Sequence, residues 1–208
     1  MTTQEPASAA RGRSPIQARS RDRVDRILAM ATEIIAERGG DHLKMSDLAA
    51  RTGISIGSLY QYFPDKAAVM RALTARVHAG SRQCIEDALA PVRSRAELIE
   101  AFNGLIDVYW SLFLAEPAMR DIWAGAQADK ALVELELSES RRHGEMLAAA
   151  IRRARPDADP EAVAPTAFLI WQLGEATMRL AIALPRAEGD AIVAAYKRMS
   201  VQAILAAG

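Results

Sequence analysis

The chain has 208 residues, of which 50% are apolar and 25% charged, so a buried core is within reach and intrinsic disorder is not the default. Formal net charge is zero, but residues 1–80 carry twelve Lys/Arg against eight Asp/Glu and the remainder fourteen against eighteen, which gives the front of the chain the better match to an anionic partner. Cys84 is the only cysteine, which excludes an internal disulfide; the polar start lacks an apolar signal core, and no run reaches about 18 uninterrupted apolar residues. A cytoplasmic protein with no membrane span is expected.

Residues 1–20 read as a flexible basic arm with Arg11, Arg13 and Arg19 around Pro6, Gly12 and Pro15. The arm is either a solubilising tail or a segment that enters the minor groove beside a bound site. A first helix is expected over 21–38, because Val24, Ile27, Leu28, Ala31, Ile34 and Ile35 recur at threes and fours. Gly39 and Gly40 end it. Short helices over 45–51 and 56–62 follow, separated by Gly53 and stopped before Pro64. Leu48, Ala49, Ile54 and Leu59 are placed to pack together. Small Ala49 permits a steep crossing, which is helix-turn-helix geometry.

The rest reads as helices only. They are expected over 65–89, 94–115 (a capping box at Ser94 and Glu97), 117–124, 129–154, 160–184 and 190–206. The fold class is therefore all-α. Residues 21–66 form an N-terminal three-helix head, and residues 67–208 form a larger helical domain. Ala167, Gly174 and Ala176 make the penultimate helix suited to close packing, and the last carries Ile192, Val193, Tyr196, Met199 and Ile204. Two such helices from each of two chains would make an isologous four-helix interface.

The segment from Gly53 to Lys66, GISIGSLYQYFPDK, resembles the signature of the TetR family of transcriptional repressors, and the close match covers about residues 23–73. The resemblance implies a homodimer on a near-palindromic operator in double-stranded DNA. It also implies a C-terminal domain that binds a small-molecule effector, which spreads the two reading heads. By motif position, Ser55, Ile56, Gly57, Ser58, Tyr60, Gln61 and Tyr62 face DNA and Lys66 meets the backbone, joined by Lys44 and Ser46 at the start of the preceding helix. Two positions depart from the family pattern: Lys44 stands where Thr usually caps, and Tyr62 where His is frequent. Both bear on operator choice.

Phe102, Tyr109, Trp110, Phe113, Trp123, Met146 and Trp171 lie on helices expected to surround the effector cavity, although each could equally fill core. His42, His78 and His143 form no metal-ligand spacing, and Glu139 with His143 gives only an i,i+4 pair. Arg152, Arg153 and Arg155 read as a solvated face with cations at a helix C-terminus. There is no phosphate loop, nucleophile elbow or triad order, so no catalytic residue, metal or cofactor is expected. The function expected is a ligand-released repressor. The alternative is a ligand-independent, nucleoid-organising DNA-binding protein of the same fold.

Overall fold

A computed structural model describes residues 15–116, 118, 119, 122 and 130–206, with side chains from Arg19 onward. The described residues are helical and contain no strand. Arg11 and Arg13 lie outside them, as does most of the expected 117–124 helix. Helices α1 (Pro15–Arg38), α2 (Met45–Thr52) and α3 (Ile56–Tyr62) form the head with the start of α4 (Lys66–Leu89). Helices α5 (Arg95–Ala115), α6 (Lys130–Ala154), α7 (Pro160–Ala183) and α8 (Arg186–Ala206) build the body around the rest of α4.

Helix α1 begins six residues before the expected start, so Arg19 is an exposed helical residue and not part of a flexible arm. Proline is favoured in a first helical turn because its φ is already set and its missing N–H has no helical acceptor there. Helix α8 begins at Arg186, four residues early. Gly189 reads as a breaker in sequence. Here its N–H donates to Pro185 O at 3.0 Å, and Arg186 pairs with Asp190 at 2.9 Å across the first turn. The expected capping box at Ser94 forms, while Asp129, expected to cap the helix to Ala154, lies outside the described residues. Ser94 Oγ accepts from Glu97 N at 3.3 Å while Glu97 Oε2 accepts from Ser94 N at 3.2 Å, an exchange that stabilises the start of α5 by about 1 kcal/mol.

Two apolar cores result. Ile27, Ile34, Ile35, Leu48, Leu59 and Phe63 fill the head, and Val69, Met70 and Leu73 of α4 pack with them, so the head's core reaches beyond Lys66. Ile85, Leu89, Phe102, Leu147, Ile151 and Ile170 lie in the second. The short segment after α5 touches both, with Ala118 and Ile122 in the first core and Met119 in the second.

Arg155 departs from the solvated-face expectation, while Arg152 and Arg153 are exposed as expected. Arg153 Nη2 donates to Leu89 O at 2.6 Å, at the end of α4. Arg155 is buried, and its Nη1 donates to Ile204 O at 2.7 Å, near the end of α8. Each cation donates to a carbonyl in the last turn of a helix, where intrahelical donors run out.

Helix α5 is long and apolar enough to cross a membrane by length and composition, which the count of uninterrupted apolar residues did not register. Its Leu98, Phe102, Leu105, Ile106 and Phe113 face the second core, and Asp107 pairs with Lys197 of α8 at 2.7 Å.

Gly144 marks a close approach of α6 to α7. A Cβ there would lie 2.8 Å from Phe168 Cα, and backbone cannot rotate away as a side-chain tip can. Gly144→Ala should therefore destabilise the protein by roughly 1–3 kcal/mol despite Ala's higher helix propensity, read as a lower urea midpoint at unchanged slope.

Candidate nucleic-acid interface and ligand cavity

The reading helix is built locally. Gly53 closes α2 in the left-handed region at φ +70°, with its N–H on Ala50 O at 3.2 Å and Ile54 N–H on Ala49 O at 3.1 Å. A β-carbon is strained at that φ, so glycine sets the turn. Ser55 then caps α3, its Oγ accepting from Ser58 N at 3.1 Å. Lys44 sits at the cap of α2 without a side-chain cap bond, because an ammonium cannot accept from the first N–H groups of the helix, and its side chain is exposed.

The sequence-nominated DNA residues divide by environment. Ser46, Ser55, Ile56, Gly57, Tyr60 and Gln61 are exposed, with Tyr60 at 49%. Tyr62 is half-buried and packs against the head's core. Lys66 Nζ donates to Asp41 O at 3.1 Å, tying the start of α4 to the 3₁₀ turn at Gly40–His42. Much of the head's positive charge is likewise engaged within it. Arg51 forks onto Glu37 at 2.6 and 2.8 Å, a contact that holds the Glu37 carboxyl below its usual range, and Arg38 meets Asp47 at 3.2 Å.

The body encloses a cavity of about 30 Å³, with about 460 Å³ of unfilled space among its lining side chains and at its mouth. Ser81 and His78 of α4, Ile106 and Tyr109 of α5, His143 of α6, Trp171, Gly174, Glu175 and Met178 of α7 and Tyr196 of α8 line it. Tyr109 meets Trp171 edge-on at 6.1 Å between centroids, and the His143 ring lies 4.9 Å from Trp171.

Of the seven nominated pocket residues, Tyr109 and Trp171 line this cavity. Phe102 is core and stacks near Tyr196. Trp110 turns toward α8, where its Nε1 donates to Asp190 at 2.7 Å, and Phe113 lies beside it. Met146 borders an outer groove between α4 and α6, and Trp123 lies outside the described residues. Sequence reading passed over the polar wall: His78, Ser81, His143, Glu175 and Tyr196. The available signal was position. His143, Leu147 and Ile151 share one apolar stripe of α6, so His143 was bound to be buried.

That burial has an electrostatic cost. His143 and His78 are 2% and 4% exposed, and His78 Nε2 and both nitrogens of His143 have no hydrogen-bond partner. Each bare group costs about 1–3 kcal/mol. Burial, then the neighbouring His78, lower the His143 pKa to about 4. Burial lowers that of His78 as well. Burial raises Glu175 to about 7, against the opposing hydrogen bond from Ser140 Oγ at 2.7 Å. Glu139 goes the other way: burial would raise it, but Arg82, bonded at 2.5 Å, holds it low. Among the described residues no group of three His, Cys, Asp or Glu is placed to hold a metal ion.

A helix-turn-helix head on an all-helical body with an internal cavity defines a one-chain DNA-binding regulator. Residues 27–73 match the model described as bacterial regulatory proteins, tetR family, and residues 96–207 the one described as tetracyclin repressor-like, C-terminal domain. The HTH-type transcriptional regulator BetI of Cronobacter sakazakii is 28% identical over 148 residues, covering 70% of each chain. A TetR-family regulator from Mesorhizobium loti superposes with a TM-score of 0.71 at 20% identity, over 90% of this chain and 97% of that one. SmeT, solved as a complex with triclosan, superposes at 0.68 and 19% identity, over 88% and 91%. The chain belongs to the TetR family: it is a DNA-binding transcriptional regulator, not an enzyme.

The cavity predicts a divided pH response. His143 faces His78 and Arg82 of α4, Glu139 and Arg142 of α6, and Glu175 of α7. Its folded pKa lies below the unfolded value, so the unfolded chain binds more protons and stability rises with pH from about 4 to 6.5. Glu175 has the opposite sign: its folded pKa is raised, so stability falls as pH climbs from about 4.5 to 7. The two slopes oppose over most of that window. Glu175→Gln should expose the His slope, with melting temperature rising from pH 4.5 to 6.5. His143→Gln should expose the Glu175 slope and fall toward pH 7. Parallel profiles for the two variants in calorimetry would refute the assignment.

Proposed function

We propose that this protein is a homodimeric repressor. It holds a near-palindromic operator and leaves it when a small, mostly apolar molecule enters the cavity of the body. Such a protein works in the cytoplasm beside the chromosome. One observation carries the proposal: α4 lines the cavity with His78 and Ser81 and also supplies Val69, Met70 and Leu73 to the head's core. A molecule that wedges against α4 moves the head with it. SmeT, a structural neighbour, is solved as a complex with triclosan, which supports a small aromatic occupant.

On DNA, the exposed face of α3 reads the major groove through Ser55, Ile56, Gly57, Ser58, Tyr60 and Gln61, with Lys44 and Ser46 of α2 on the flanking phosphates. Tyr62 and Lys66 act at one remove, by seating α3 and α4 in the head, and Arg19 extends the face from α1. A β-carbon on Gly57 would meet nothing within 4 Å, so the protein itself does not require glycine there. The requirement lies with the approaching DNA. Gly57→Ala should therefore raise stability by roughly 0.5–1 kcal/mol while weakening operator binding, two effects that run opposite ways. Tyr60→Ala should change stability by less than about 0.5 kcal/mol and also weaken binding. Calorimetry and fluorescence anisotropy at fixed salt, on an operator recovered by genomic selection, check both. Full operator affinity in either variant would remove that residue from the interface. Many chromosomal sites, with no ligand able to release them, would favour the nucleoid-organising alternative.

Dimerisation is assigned to the outer faces of α7 and α8. Leu169, Leu173 and Leu180 recur at four and seven residues along α7, all exposed, and Met199 on α8 is 65% exposed. The small residues serve a different purpose. A Cβ on Gly174 would lie 2.7 Å from Tyr196 Oη, so Gly174 and buried Ala167 permit packing within one chain. Leu169→Glu with Leu173→Glu should give a folded monomer by light scattering, with operator affinity lowered by about 100-fold or more.

A further inference from the structure

The polar corner of the cavity is specific about the occupant it would satisfy. His78 and His143, on α4 and α6, are both more than nine-tenths buried, with ring centroids 6.4 Å apart. His78 Nε2 and both His143 nitrogens are unpaired. Trp171 and Tyr109 form an aromatic wall beside them, and Met178 and Ile106 an apolar one. The enclosed space of about 30 Å³ has room for roughly one oxygen-sized group, so a ring enters only as the side chains around it give way.

We infer that the cavity binds an uncharged, single-ring aromatic alcohol of the phenol type, its hydroxyl seated between His78 and His143 and its ring against Trp171 and Tyr109. A neutral imidazole carries one N–H and one lone pair. A hydroxyl can accept from one ring and donate to the other, so it pairs one bare nitrogen on each. A carboxylate only accepts, so it leaves an imidazole lone pair bare and brings charge toward Glu175. The nearest guanidinium, Arg82, is already held by Glu139. An ammonium only donates and leaves an imidazole N–H bare. A plain hydrocarbon ring satisfies neither. Both imidazoles stay neutral because burial disfavours their charged forms. The assignment rests on the effector reading for its biological consequence, but not for its chemistry.

Isothermal titration of the full-length protein at neutral pH with four one-ring probes tests it: 4-ethylphenol, ethylbenzene, benzoate and benzylammonium. The phenol should bind at least about tenfold more tightly than the other three, because a site with buried hydrogen-bonding groups rejects an analogue that leaves them bare. His143→Phe should lower phenol affinity by about tenfold or more and leave ethylbenzene unchanged. Should that variant not fold, imidazole ¹⁵N shifts of the wild-type protein give the second readout: the His143 signals should move with 4-ethylphenol and stay with ethylbenzene. Equal or tighter binding of any of the other three probes, binding of none, or an unmoved His143 signal with the phenol overturns the assignment. If the phenol binds as expected and the operator stays bound, the release proposal fails and the pocket assignment stands.

Discussion

Helix α4 gives Val69, Met70 and Leu73 to one core and Ile85 and Leu89 to the other, with His78 between them against the cavity. An unbroken helix of 24 residues spans about 36 Å and behaves as a strut. Its two ends cannot move independently without breaking backbone hydrogen bonds. Close-packed cores resist gradual deformation, so a change at the cavity is passed on as a shift of the whole strut. The segment holding Ala118, Met119 and Ile122 reinforces this link, since it too is divided between the cores. Head and body are thus coupled through packing, with no need for a special chain of contacts.

The cavity is unusual for the body because it is neither fully apolar nor fully satisfied. Buried imidazoles with bare nitrogens destabilise the empty protein. Ligand groups that pair with them regain that free energy on binding, so the same atoms that weaken the fold give the site its selectivity. Glu175 extends the pattern. Burial raises its carboxyl pKa to about 7, so near neutrality about half of it is protonated, and the bond from Ser140 fixes it. A charged wall would attract ions of one sign. A neutral hydrogen-bonding wall distinguishes uncharged molecules by where their polar atoms lie.

Much of the head was legible in sequence because its signals are local. Gly53, Pro64 and the alternation of Leu48, Ala49 and Leu59 with polar positions set two short helices and their turn, and the motif around them is long. The body was legible as helices but not as a site. Periodicity says that Phe102, Trp110, Phe113 and Met146 lie on semi-apolar faces. It does not say which part of a face meets another helix and which meets a void. Trp110 is drawn away by Asp190, eighty positions distant, a pairing no local pattern encodes. The helix start at Arg186 was missed for a related reason. Gly189 is a breaker by propensity, yet its N–H closes the first turn of α8 on Pro185 O, and Trp110 and Ala181 O leave no room for any larger residue there.

Dimerisation decides what the head can achieve. One α3 of 7 residues presents few groups to DNA, and Arg38 and Arg51 are already paired within the head. A single head therefore offers DNA one short reading helix and only part of its positive charge, and in the proposed dimer affinity comes from holding two heads on one duplex. Linking two weak readers makes the second contact intramolecular, which multiplies affinity without adding a contact. The gain vanishes when the spacing departs from one helical turn of DNA. A regulator built this way needs only a small displacement of α4 to change its output. The weak single head is then the condition for a sensitive switch, since a tighter reader would stay on DNA after the partner head had left.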